Sequence, residues 1–450
     1  MTEKTDAILF VVSDWGGFHP SAWRAEGVPA NPPMDFKMMR RFVQTAERGK
    51  FHGLFLADSP AVGFLGQEVS IEALSRTVKG VRGPEPLTLL SALTAHTERI
   101  GLLATASTTY SEPYNVARMF ASLDFLSGGR AGWNIVATAS TAAALNFGRA
   151  EHMPHAARYE RAQEFVDVVT GLWDSWEDDA FLHDKKSGRF FDPDKLHALD
   201  YRGKYLSVAG PLNAARPPQG HPVIVQAGSS GPGRAFAARN AEVVFTLQAN
   251  LAAGKEFYAE LKEQAAAYGR DPRHVKVLPG LTLIVGRSEA DANEKLARLD
   301  ALVDEEVGKE MLRTVLGREF NLSGISLDGP MPEVPESEVV SQGAQRFFLD
   351  LVKRDNLTVR QAMQLAARFT ALAVTPTTAA DLMQEWLQAG AADGFNIMFA
   401  DAIDSLDVFV DEVIPELQRR GLFHTEYRGT TLRESLGLPR PANRYAASAR

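Results

Sequence analysis

The chain has 450 residues, 45% hydrophobic and 23% charged, with 48 Lys and Arg against 56 Asp and Glu for a net charge of −8. This is a globular composition, and its acidic balance argues against a nucleic-acid partner, which requires a basic face. Cysteine is absent, which excludes disulfides, thiolate metal sites, iron–sulfur clusters and a cysteine nucleophile, and suits a reducing compartment.

Ile8–Ser13 is the first predicted strand, an uninterrupted apolar run of the kind buried on both faces. A loop rich in Gly, Pro and Trp follows, then a helix near 35–48 whose apolar residues share one face. Gly53–Ala57 is the second strand, and 59–85 reads as an insertion. A helix near 86–97 precedes the third strand, Ile100–Thr105. The helix near 113–126 opens on Ser-Glu-Pro and stops at Gly128-Gly129. Ala131–Ala137 is the fourth strand, and the strongest helical pattern runs from about 156 to 176.

Residues 177–221 look irregular, with a hairpin signal at Tyr201–Val208. Pro222–Ala227 and Glu242–Leu247 are strands five and six, followed by a helix over 252–268. Val275–Val285 is strand seven, with a helix over 288–304 and a third insertion over 305–360. A helix over 376–389 leads to strand eight, Gly394–Phe399, and a last helix lies near 406–420. The tail, 441–450, is expected to fray. No run approaches the ~18 apolar residues of a membrane helix. Met1–Asp6 is polar, so no secretory signal is expected and the chain reads as cytoplasmic.

Eight alternating units favour one (β/α)8 TIM barrel over residues 1–440, with insertions, against the competing open doubly wound sheet. No Gly-x-Gly-x-x-Gly follows the first strand, which removes the main reason to expect a nicotinamide site.

In a barrel the active site lies at the C-terminal ends of the strands. Ser13, Asp14 and then His19 follow the first strand, Asp58 ends the second, Thr105 ends the third and Asn134 lies within the fourth. His19, on a Gly-rich loop, is the candidate for proton exchange at the mouth, or else a surface histidine. Asn134 points either into the barrel or toward a helix. Gly228–Gly233 (GSSGPG) joins a strand to a helix start and suits a phosphate, with Ser229 and Ser230 as hydroxyl donors, though it also fits an ordinary capped turn. His155 and Tyr159 share a helix face and suit the same ligand. Phe55 and Phe245 are candidate pocket walls. His152 and His155 lack the partners of a metal site, so none is expected.

Several segments carry a family resemblance: HPSAWR at 19–24, LDFLSGGR at 123–130, GWNIV at 132–136, HAARYERA at 155–162, PVIVQAG at 222–228 and GLFHTEYRG at 421–429. The chain resembles the bacterial luciferase-like flavin-dependent monooxygenases, nearest the nitrilotriacetate monooxygenase component A and dibenzothiophene-sulfone monooxygenase group. The resemblance implies FMN held by Asp58, Thr105, His155, Tyr159 and Ser230, with Ser229 and Asn134 close by. It implies a two-component system in which a separate NAD(P)H:flavin reductase supplies reduced FMN by diffusion. Dioxygen then reacts through a flavin C(4a) hydroperoxide, and a small organosulfur or amino-polycarboxylate substrate is oxygenated, with His19 handling a proton. A dimer or tetramer is also implied. The alternatives are a flavin- or deazaflavin-dependent oxidoreductase of the same superfamily, or a flavin-binding protein without turnover.

Overall fold

The computed structural model describes residues 6–446 apart from 64–69, 82, 139, 229, 319, 323, 336–341, 369 and 402. Eight parallel strands form the barrel: β1 (Ile8–Val12), β2 (Gly53–Leu56), β3 (Gly101–Ser107), β4 (Ala131–Val136), β5 (Val223–Gln226), β6 (Val243–Thr246), β7 (Lys276–Val285) and β8 (Gly394–Phe399). Each pairs with the next, and the ring closes where β8 pairs with both β7 and β1. The open-sheet alternative is thereby set aside.

β1 shows why these strands read so clearly. Side chains alternate across a strand. Ile8, Phe10 and Val12 fill the barrel axis with Phe55, Leu103, Val225 and Met398. Leu9 and Val11 join the layer between strands and helices. Both faces are dry, so the run is apolar throughout. In that outer layer Trp133 lies 5.9 Å from Phe165 and 6.2 Å from Trp173. Both partners belong to the long helix His155–Trp173, which is thereby fixed against β4. The helix Pro113–Ser127 ends on Gly128, whose φ of +67° is the left-handed conformation that glycine adopts without strain.

The floor of the barrel is closed from the far end of the chain. Leu432, Leu436 and Leu438 pack under Ile8 and Val223. Leu432 sits so close to β3 that a Cβ on Gly101 would lie 2.6 Å from its Cδ1.

Three expectations need correction. A ninth strand, Ala371–Val374, pairs with the outer half of β7; it is short and only partly buried, so its apolar signal is weak. Residues 177–221 hold two small antiparallel pairs. One, Tyr201–Arg202 with Ser207–Val208, matches the hairpin signal, and the other, Phe181–Asp184 with Arg189–Phe191, was not foreseen. The described part of the tail does not fray: Asn443 is buried and donates to the carbonyls of Asp174 and Trp176 at 3.0 and 2.9 Å, and Tyr445 stacks on His197 at 4.2 Å. The buried Asp174 carboxylate accounts for this, because it gathers Arg216, His221 and Arg444 around itself.

The third insertion runs past its expected end at 360 and forms helices Glu305–Leu316, Gln342–Arg354 and Val359–Ala367. They share a separate apolar core that includes Leu312, Phe348, Val359 and Met363. Among the described residues no helix is long and apolar enough to cross a membrane.

Candidate active site

The open question about Asn134 is settled by the register. Thr105 pairs with Asn134, which pairs with Val225, an axis residue, while Trp133 faces the helices. Asn134 therefore points into the barrel, buried beside Thr105. The Thr105 hydroxyl donates to the Leu56 carbonyl at 2.8 Å, so its oxygen must accept from Asn134 Nδ2, also at 2.8 Å. That fixes the amide orientation and leaves Asn134 Oδ1 buried with no partner among the described residues. A buried acceptor without a donor costs stability, and a ligand N–H at the barrel mouth would relieve it. The arrangement fits a flavin ring.

The Gly-Ser loop opens the helix Gly231–Asn240. Ser230 caps it, its Oγ accepting from the Gly233 N–H at 3.2 Å. A Cβ on Gly233 would lie 2.9 Å from the Tyr159 hydroxyl and 3.0 Å from Ser230 Oγ, so the missing side chain admits Tyr159 to the helix N-terminus. The His155 ring stands edge-on to Tyr159 at 5.1 Å, exposed to solvent. These three residues converge as expected, with backbone donors and a favourable helix dipole beside them. Ser229 lies outside the described residues. Asp58 sits beyond the end of β2 in a small recess shared with Ser13, Asp14 and Lys79.

The other half of the mouth is a cavity of about 400 Å³ between the barrel and the third insertion. Phe55 and Phe245 meet on its wall with ring centroids 6.2 Å apart. Met311 and Val315 of the insertion also line it.

His19 also lines this cavity, but it is not a free loop histidine. The N–H groups of Phe18 and His19 donate to the carbonyls of Phe399 and Ala400, extending from the end of β8, and this buries the ring. Its Nδ1 accepts from the Ser21 N–H at 3.2 Å, so the proton of the neutral ring is on Nε2. Nε2 lies 3.4 Å from Asp300 Oδ1, whose other oxygen pairs with Arg368 Nη1 at 3.1 Å. Burial pushes the His19 pKa below its ordinary value, and Asp300 opposes that fall.

Sequence reasoning missed Asp300, Arg368 and Lys79, whose Nζ pairs with Asp14 at 2.7 Å. None sits at the end of a barrel strand. Asp300 is on a helix, and the other two are inside or next to insertions, where no local pattern marks them.

The family model for luciferase-like monooxygenases matches residues 15–393. N-acetyl-S-(2-succino)cysteine monooxygenase of Bacillus subtilis (strain 168) is 48% identical, over 99% of this chain and 100% of its own. Nitrilotriacetate monooxygenase component A of Aminobacter aminovorans is 47% identical over 97% of each chain. Among solved structures, EDTA monooxygenase from Chelativorans sp. BNC1 aligns with a TM-score of 0.78 and 35% identity, covering 97% of this chain and 99% of that one.

Proposed function

The chain belongs to the luciferase-like monooxygenase family, and from that premise we propose that it is the oxygenating half of a two-component system. Reduced FMN comes from a separate NAD(P)H:flavin reductase, and one atom of dioxygen is transferred to a small organic substrate. The observation that carries this reading is the divided barrel mouth. One half is polar and ends in the unpartnered Asn134 Oδ1, and the other is an apolar cavity under the insertion.

Bound reduced flavin supplies the oxygen-activating chemistry. Asn134 and Thr105 hold its ring, with Asp58 at the rim. The helix start at Ser230, the Ser229 position, Tyr159 and His155 hold its phosphate. Phe55 and Phe245 orient the substrate. His19 moves a proton at Nε2, the ring atom that faces Asp300. The insertion shields the cavity from water, which protects a reactive oxygenating species from loss. The working unit is a dimer or tetramer.

The test supplies photoreduced FMN and dioxygen with no nicotinamide and no reductase. Substrate should then be oxygenated, while the purified protein with FMN and NADH or NADPH alone stays idle. Rapid, substrate-stimulated oxidation of NAD(P)H by this chain alone would reject the two-component reading.

A further inference from the structure

The charged groups of the large cavity are unequally engaged. Among the described residues its lining includes two cations, Lys79 and Arg368. The Lys79 side chain is 6% exposed, and its Nζ donates to Asp14 Oδ2 and to the Gly17 carbonyl. Both of these bonds tie it to the loop after β1. The Arg368 side chain is 36% exposed and makes one polar contact among the described residues, from Nη1 to Asp300 Oδ2 at 3.1 Å. The remaining N–H groups of its planar fork are open, and that fork matches a carboxylate in two-point geometry.

The rest of the wall is dominated by Val12, Phe18, Phe55, Phe245, Met311 and Met398. Among the described residues three formal charges line the cavity, Asp14, Lys79 and Arg368; Asp14 pairs with Lys79, and Asp300, outside the wall, offsets Arg368. Burial pushes the His19 pKa down, which favours its uncharged ring. A polyanion would thus meet no surplus of positive charge, whereas a single carboxylate finds one open guanidinium.

Building on the monooxygenase reading, we infer that Arg368 is the anchor for a substrate with one carboxylate end and an apolar body, the body lying toward Phe55 and Phe245. At about 400 Å³ the cavity is at the lower end of small-molecule sites, about 300–1,000 Å³, which suits a compact molecule of this kind.

The experiment titrates (benzylthio)acetate, its neutral amide (benzylthio)acetamide, and nitrilotriacetate into the full-length protein with and without FMN, by calorimetry. The acid should bind about ten- to 150-fold more tightly than the amide, the range for hydrogen bonds to a charged group. Arg368→Gln should erase that preference with amide binding unchanged, and Arg368→Lys should keep part of it, which also guards against a folding defect in the first variant. Equal binding of acid and amide would overturn the anchor. So would an undiminished preference in Arg368→Gln, or tighter binding of nitrilotriacetate than of the monoacid. Oxygen transfer to the acid is then measured separately with photoreduced FMN. Selective binding without oxygenation would support the anchor and refute the monooxygenase reading instead.

Discussion

Asn134 offers a test in which stability and ligand binding should part company. Replacing it with Ala removes the Nδ2 bond to Thr105, a loss of about 0.5–1.5 kcal/mol for a neutral pair. Thr105 is not stranded, because its hydroxyl still donates to the Leu56 carbonyl at 2.8 Å. The same substitution deletes the buried, unpartnered Oδ1, whose desolvation costs about 1–3 kcal/mol in the flavin-free protein. The two effects oppose each other, so the flavin-free protein should range from about 0.5 kcal/mol less stable to about 2.5 kcal/mol more stable. Flavin binding gains nothing in return. A ring N–H loses its acceptor, and affinity should fall by about 1–3 kcal/mol, roughly five- to 150-fold. Denaturant unfolding of the flavin-free protein gives the first quantity, and quenching of FMN fluorescence gives the second. Unchanged FMN affinity together with a stability loss above about 3 kcal/mol would show that Asn134 merely braces β3 against β4.

His19→Ala should lower oxygen transfer while leaving flavin binding intact, and the pH profile of kcat/KM should lose one limb. Asp300→Asn should move that limb to lower pH: burial already lowers the His19 pKa, Lys79 and Arg368 push the same way, and Asp300 is the group that raises it. Oxygen uptake across the pH range checks both, and an unmoved limb in Asp300→Asn would break the link between the two residues. Leu432→Ala should cost about 2–5 kcal/mol, because this leucine is 1% exposed and packs directly on Gly101. An unfolding midpoint equal to that of the parent would show that the barrel floor bears no part of the stability.

The eight barrel strands were legible because each is buried on both faces. A run such as Ile8–Val12 leaves little choice of structure. Ala371–Val374 was not legible, because four residues, three of them short of full burial, carry no such pattern. Tyr159 and Ser230 could be joined in advance through the Gly-Ser loop and the helix spacing. The orientation of Asn134 could not, since β4 is dry on both sides and an amide has a place in either. His19 was visible as a residue, but its surroundings were not. Asp300 and Arg368 reach it from a helix and from the end of an insertion, and only tertiary structure brings such segments together.

The pairing of β8 with β1 has a consequence for how the protein is made. Phe10 waits for Asn396, 386 positions further along the chain, before its strand gains a second neighbour. At about 5–20 residues per second on the ribosome, that interval is roughly 20–80 s. Throughout it, one margin of a growing apolar sheet has unsatisfied backbone groups, the condition under which nascent chains pair with one another. The leucines that seal the floor emerge later still, at 432–438. Slower synthesis prolongs this exposed state, so the yield of folded protein should depend on chaperone capacity throughout the interval before β8 is made.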